Sequence, residues 1–539
     1  MQVINANFLQ AKAIDQWTRE LPIIASRGKI LDRNGEVIVA NRSTYTVFLR
    51  SKSVTNEVQT ASVISKVLGL DENKVLSKCQ NKRVSEQTLA RQVEKSKIDE
   101  LLSYNLSGIY YAEDNTRVYK YGDTLTQVLG YVSSDSNGQA GLELYYNDYL
   151  KGKNGEVLFQ TDLIGIELEN TNAKYLSAIN GLNLTLTIDL EIQLLTELAM
   201  ERAKVNQNAK GASCIVMDVT NGEILAMTSK PSYNLNEVPR DDISLLNSMS
   251  RNNLVVDVYE PGSTFKIITS CINVEEYLKG NSKAYSPKHI YNSSRYRVID
   301  GQRIKCWSSH DKGKHANLDL CGALNCSCNP IFVDIATSIG KETFYEYLRK
   351  FNFGKSTGID FIGESSGMLL KESVVKPCDL ARIGFGQTIA VTGLQLVSAV
   401  GAIANGGTYY KPHLVKSITD ENGRVAEIIN PTSNGRVVSQ ECSKIMVEML
   451  ESVVKDGGGK KAYIEGYRVC GKTGTAQKYE NGSIARDKYV SSFIGFFPAS
   501  SPKYLALVVV DEPQGEIYGS TVAAPYAKEI FDGIISLKY

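Results

Sequence analysis

"YEPGSTFKIITSCINVEEYL", residues 259–278, places the turn-making pair Pro261-Gly262 before an apolar-periodic run that opens at Ser263. The spacing predicts a helix whose first turn carries Ser263 and Lys266 on one face, three residues apart. A serine hydroxyl becomes a nucleophile when a nearby base accepts its proton. Lysine serves as that base when burial or a second cation pulls its amine toward neutrality. A helix start also offers free backbone N–H groups suited to a developing oxyanion. Taken alone, the pair more often means an N-cap serine followed by a solvent-facing lysine. Its surroundings decide between the two.

Upstream, "LNLTLTI" (182–188) alternates as a strand and runs through Asp189 into a helix with apolar Ile192, Leu195, Leu198 and Ala199. "GASCIVMDVTNGEILAMTS" (211–229) reads as two strands hinged on Asn221-Gly222. Helical patterns fill the chain to residue 405. Strands return in "YRVCGKTGTAQK" (467–478), "YVSSFIGFFPA" (489–499) and "KYLALVVVDE" (503–512), before a closing helix, "AAPYAKEIFDGIISL" (523–537). Strands at both ends around a helical middle predict an α+β domain over 176–539 whose sheet joins early and late segments. Residues 1–175 mix short β-like runs ("STYTVFLR", "GIYYAED", "GEVLFQTD") with polar helical segments and no unifying apolar stretch. They read as an extended pedestal domain.

The length of 539 residues exceeds what one core usually supports, so more than one domain is expected. Sixty basic residues against 59 acidic ones leave a net charge of +1, which gives nucleic acid or a bare anionic membrane no purchase as a partner. No run of about 18 apolar residues spells a transmembrane helix. The opening "MQVINANFLQAKAIDQWTRELPI" (1–23) reads as a short amphipathic helix.

Two further triplets give the serine its context. Ser327-Cys328-Asn329, followed by Pro330, closes one helical stretch and opens the next, and Lys472-Thr473-Gly474, continued by Thr475, lies on a late strand. Ser-x-x-Lys, Ser-x-Asn and Lys-Thr-Gly in this order form the set shared by penicillin-recognising serine transferases and hydrolases. "RGKILDRNGEVIVANRSTYTVFL" (27–49), "AGLELYYNDYLKGKNGE" (140–156), "GLNLTLTIDLEIQ" (181–193), "MDVTNGEILAMTSKPSYNLN" (217–236) and "GFGQTIAVTGLQL" (384–396) extend the likeness over nearly the whole chain. The sequence thus resembles class B penicillin-binding proteins, monofunctional D,D-transpeptidases that cross-link peptidoglycan and carry no glycosyltransferase segment.

That resemblance implies an antiparallel sheet flanked by helices, with a helical subdomain, for the transpeptidase domain, and it implies the roles. Ser263 attacks the penultimate D-alanine of a D-Ala-D-Ala stem peptide, with Lys266 as general base. Ser327 and Lys472 form a proton path to the leaving amine, and Asn329 orients Lys266 and the peptide. Thr473, Gly474 and Thr475 form the substrate-binding strand, with Thr473 and Thr475 gripping the terminal carboxylate. The N–H groups of Ser263 and Thr475 form the oxyanion hole. β-Lactams acylate the same serine. The resemblance further implies a membrane anchor preceding residue 1, a catalytic domain outside the cytoplasmic membrane and a membrane glycosyltransferase partner. It leaves elongation, division and sporulation open as settings. A D,D-carboxypeptidase or β-lactamase, with water as acceptor, is the alternative enzyme; a β-lactam-binding scaffold or sensor is the alternative outside catalysis.

Four of the ten cysteines and two of the four histidines fall within 306–329. In relatives of this kind a Cys-Trp pair, a Gly-His-Gly and a Ser-Cys-Asn recur here without a metal, which covers Cys306, His315 and Cys328. The departures are His310, Asp311, Cys321 and Cys326, all zinc-ligating types. A structural zinc would take four of Cys306, His310, Asp311, His315, Cys321 and Cys326, with Cys306, His315 and Cys326 preferred. Asn317 is the expected N-cap of the helix bearing Cys321 and Cys326. A disulfide from Cys306, or unlinked thiols, are the competing readings. The chemistry itself needs no cofactor. The other six cysteines sit singly and read as buried small hydrophobes.

Overall fold

The computed structural model describes residues 18–160, 174–292, 294–307, 315–480 and 483–538. In the N-terminal part, "VIVANRSTYTVFL" forms one 13-residue strand, β1 (Val37–Leu49). Its alternating, β-branched sequence lets one face pack while the other stays polar. β1 pairs antiparallel with β2 (Gln87–Val93) and, from Val39↔Tyr119 to Leu49↔Ile109, with β3 (Ile109–Tyr119). This long strand unifies a region that by sequence has no unifying segment. Around it Val47, Leu49, Ala61, Ile64, Val75, Cys79, Ile98 and Leu101 make a separate small core. The helix expected over 1–23 fails where it can be checked: Thr18–Ile23 is a strand paired with Gly155–Gln160, a contact no local pattern reveals. Residues 1–17 lie outside the described residues.

The pedestal sheet continues into later sequence. Ile30–Leu31 pairs antiparallel with β1 and parallel with β4 (Asn183–Leu186), which pairs antiparallel with β7 (Val415–Thr419). Strands from both sides of residue 175 therefore share one sheet. Beside it, Glu143 is fully buried (0 % exposed) and accepts from Arg27 Nε at 2.6 Å and Arg117 Nε at 2.7 Å. The two guanidiniums also bind the backbone carbonyls of Ser136, Glu143 and Gly28. Removing one partner of such a buried set leaves uncompensated charge. Glu143→Ala is therefore expected to destabilise the protein by about 3–5 kcal/mol, read as a lowered denaturant midpoint. An unchanged midpoint would show that the cluster is not what ties 27, 117 and 143 together.

The second sheet is antiparallel throughout, in the order β6-β5-β10-β9-β8. Its strands are β5 (Gly211–Asp218), β6 (Ile224–Lys230), β8 (Cys470–Glu480), β9 (Ser483–Phe497) and β10 (Tyr504–Asp511). Early and late strands interleave as expected, and Gly222 takes φ +81° in the hairpin between β5 and β6. β5 is buried along its whole length because alternate residues serve different cores. Cys214 and Val216 face α1 (Leu190–Asn206) and α6 (Ala524–Lys538). Ile215 and Met217 join the larger core that holds the helices of the middle segment. α1 begins as predicted, with the Asp189 carboxylate accepting from Ile192 N–H. The cysteines read as buried hydrophobes, Cys79, Cys214, Cys271, Cys378, Cys442 and Cys470, are all buried. Among the described residues no helix is long and apolar enough to cross a membrane.

Candidate active site

Ser263 sits in a 3-10 turn, Gly262–Phe265, that feeds α2 (Lys266–Leu278). Ser263 is thus not the N-cap of the commoner reading: the turn is held by Thr264 Oγ1 donating to Pro261 O at 2.7 Å, and Ser263 Oγ is left to the cleft. Gly262 adopts φ +54° and donates to Gly386 O. A Cβ on Gly386 would lie 2.1 Å from Gly262 O, so the "GFGQT" segment backs the nucleophile turn closely.

α2 is the buried axis of the domain, with every residue from Lys266 to Glu276 buried. Lys266 is 0 % exposed, and its Nζ donates to Asn329 Oδ1 (2.6 Å), Ser327 O (2.8 Å) and Ser327 Oγ (3.0 Å). Burial lowers its amine to about 8, against a smaller upward pull from the Cys306 and Cys328 thiols. Ser327 Oγ donates to Ser263 Oγ at 2.9 Å, closing a chain from serine to serine to lysine. Ser327 can reach both because it ends α3 (Leu320–Cys326) in the left-handed region, φ 57°, before α4 (Asn329–Ile339) begins. Two helices meeting at a reversed residue aim Ser327 and Asn329 at the same amine.

β8 forms the opposite wall. Its alternation buries Lys472, Gly474 and Ala476 and leaves Thr473 and Thr475 half-buried. Lys472 is 0 % exposed, and its amine is pushed well below the ordinary lysine value, by burial first and then by the charge of Lys266. Gly474 is required by contact: a Cβ there would meet Ser492 Oγ at 2.5 Å and Pro261 O at 3.0 Å. Thr475 Oγ1 accepts from Gly519 N–H at 3.0 Å. β8 is also the last strand of its sheet, so its outer edge is open to an extended peptide.

Beside this cleft the cysteine-rich segment resolves differently from its sequence reading. Donor atoms of Cys306, His315 and Cys328 all lie within 4.8 Å of one another. Cys328, set aside in the sequence as part of the Ser-x-Asn pattern, replaces Cys326, because the left-handed Ser327 turns residue 328 inward. Cys326 bears electrostatically on Lys472 instead, its carbonyl accepting from Trp307 Nε1. Cys321 points to Ser452 of α5 (Gln440–Lys455), away from the cluster. Asn317 is not the N-cap: Asp319 caps α3 by accepting from Gly322 N–H at 2.9 Å. His310 and Asp311 lie outside the described residues.

A buried lysine wired through one serine to another, facing an open edge strand with a second buried lysine, defines a serine acyltransferase site. Comparison with known proteins carries this further. The chain belongs to the class B penicillin-binding proteins: residues 212–532 match the family model "Penicillin binding protein transpeptidase domain", and residues 22–186 match "Penicillin-binding Protein dimerisation domain". It is 38% identical to Stage V sporulation protein D of Bacillus subtilis, over 98% of this chain and 81% of that protein. It is 29% identical to the peptidoglycan D,D-transpeptidase FtsI of Escherichia coli, over 99% and 87%. In fold it is similar to penicillin binding protein 3 of Mycobacterium tuberculosis in complex with aztreonam, with TM-score 0.73, 23% identity, and 96% and 97% coverage. The expected class and α+β fold are thus both met.

Proposed function

We propose that this chain cross-links peptidoglycan stem peptides by D,D-transpeptidation and is acylated by β-lactams, with Ser263 as nucleophile. The observation that carries the reading is the Ser263–Ser327–Lys266 chain of hydrogen bonds. As an ammonium, Lys266 donates to all three acceptors around it, and Ser327 donates to Ser263. As a neutral amine it keeps two donors for Ser327 O and Asn329 Oδ1, and its lone pair accepts from the Ser327 hydroxyl. Ser327 then accepts from Ser263, so the nucleophile's proton has a route to the amine. Ser263 Oγ bonds to the penultimate D-alanine carbonyl carbon. The oxyanion is held by the Ser263 and Thr475 N–H groups, and the terminal D-alanine leaves with a proton passed through Ser327 and Lys472. Thr473 and Thr475 bind its carboxylate. An acceptor amine then displaces Ser263. On the family reading the protein works at the membrane, with a membrane glycosyltransferase partner at the pedestal. The test is incubation with a D-Ala-D-Ala peptide and a D-amino-acid acceptor. Release of D-alanine with transfer supports the reading; release by hydrolysis alone makes it a carboxypeptidase, and no release leaves a binding protein.

A structural zinc fits the neighbouring cluster. Two thiols and an imidazole are a zinc-type donor set, and the 4.0 Å between Cys306 Sγ and His315 Nδ1 is close to the roughly 3.5–3.8 Å expected across a tetrahedral ion. The ion would fix the turn that presents Ser327 and Asn329 and take no part in the chemistry. Elemental analysis of dialysed protein should find about one zinc per chain, and Cys306→Ser should remove it. A content near zero in the unaltered protein would exclude the metal.

A further inference from the structure

We infer that Glu260 is a positioning residue for acylation: its carboxylate pins segment 384–388 against the nucleophile turn and so sets the spacing of the two oxyanion donors. The inference rests on the reading of Ser263 as nucleophile. Glu260 lies three residues before Ser263 and is half-buried. Its Oε1 accepts from Thr388 N–H at 2.8 Å. Backbone bonds flank this contact on both sides. Gly262 N–H donates to Gly386 O at 3.0 Å, and Tyr259 and Val391 each donate to the other's carbonyl at 3.0 Å. From α2, Thr269 Oγ1 reaches the same segment, donating to Gly384 O at 2.7 Å.

Thr388 shows why the grip is needed. Its φ is +60°, a left-handed backbone that a β-branched residue adopts only when its surroundings impose it. The bond to Glu260 holds it there, and without that bond the segment is free to relax toward an ordinary φ. Such a movement reaches the oxyanion hole by direct contact. A Cβ on Gly386 would lie 2.1 Å from Gly262 O, and one on Gly262 would lie 3.1 Å from Thr475 O. Gly262 is therefore packed between Gly386 and β8, and the peptide that follows it carries the Ser263 N–H. The far side of the segment has no slack either. A Cβ on Gly384 would lie 2.6 Å from Ala336 Cβ in α4, the helix that starts at Asn329. The carboxylate bonds to this segment and acts on the reaction through geometry alone. Burial raises its pKa, while the Thr388 N–H and the charge of Arg382 act the other way.

The test follows acylation of the whole chain by a chromogenic cephalosporin, with stopped-flow separating the initial dissociation constant from the acylation rate constant. Glu260→Asp keeps the charge but falls one methylene short of Thr388. Glu260→Gln gives up the charge but keeps the reach and an acceptor oxygen. Glu260→Asp and Glu260→Ala are expected to lower the acylation rate constant about tenfold with the dissociation constant unchanged. Glu260→Gln should keep most of the rate. In the Glu260→Ala background, Thr388→Gly, which takes φ +60° without strain, should recover part of the loss. The inference is overturned if Glu260→Asp and Glu260→Ala acylate as fast as the unaltered chain, or if Glu260→Gln is as slow as Glu260→Ala. A loss confined to the dissociation constant, or no recovery with Thr388→Gly, overturns it as well. An unaltered chain that forms no adduct at all overturns the reading of Ser263 and this inference with it.

Discussion

Ser263→Ala is expected to abolish acylation by both stem peptide and β-lactam while leaving the fold intact. The hydroxyl's bond is to Ser327 Oγ, within the cleft, and the turn that carries it is held instead by Thr264, Gly262 and Gly386. Loss of a serine nucleophile that works as a unit with its base lowers turnover by a factor on the order of 10⁶, because no partial function survives. The measurement is covalent mass gain on incubation with a penicillin, beside the thermal midpoint. A variant that still gains the mass would place the nucleophile elsewhere. One that neither reacts nor folds would show that the hydroxyl is structural.

The second large effect belongs to Lys266, and its sign is fixed by burial. An amine lowered from 10.5 to about 8 is unprotonated in about a tenth of molecules at pH 7, which is about 300-fold more than an unshifted lysine offers. Only that neutral form can take the proton of Ser263. Acylation should therefore rise about tenfold per pH unit below pH 8 and level off above it. Lys266→Met keeps the length and burial but has no proton acceptor. It should slow acylation by up to about 10⁴-fold and abolish the pH dependence. A wild-type rate that is flat between pH 6 and 9 would remove Lys266 from the role of base. Lys472 bears on the same profile. Burial first, and then the charge of Lys266, push its amine well below the ordinary lysine value.

Together these expectations describe a cleft in which desolvation, more than any ion pair, sets the chemistry. Burial is the first cause of both shifts; the thiols of Cys306 and Cys328 pull Lys266 up, while the charge of Lys266 pushes Lys472 down and the Cys326 thiol pulls it up. That is why the cysteine-rich segment matters to catalysis even without reacting. A zinc bound at Cys306, His315 and Cys328 would remove two thiol protons beside Lys266, and would hold the backbone that carries Ser327.

What the sequence determined about this protein is what short-range spacing can encode. Ser263 and Lys266 are three residues apart on one helix, and Ser327 and Asn329 flank one turn. Lys472, Thr473 and Thr475 alternate along one strand, and the interleaving of early and late strands follows from period-2 patterns buried on both faces. The tertiary structure decided everything that depends on who meets whom across the chain. It put Ser327 in a left-handed turn that serves two partners more than 60 residues away, and that same turn sent Cys328, not Cys326, toward Cys306 and His315. It made a strand of Thr18–Ile23 because Gly155–Gln160 lies beside it. It drew Arg27, Arg117 and Glu143 from three separate segments into one buried cluster. The physical reason is common to all of these. Local pattern states which face a residue prefers, but desolvation and charge depend on the neighbours that close over it, and those come from distant sequence.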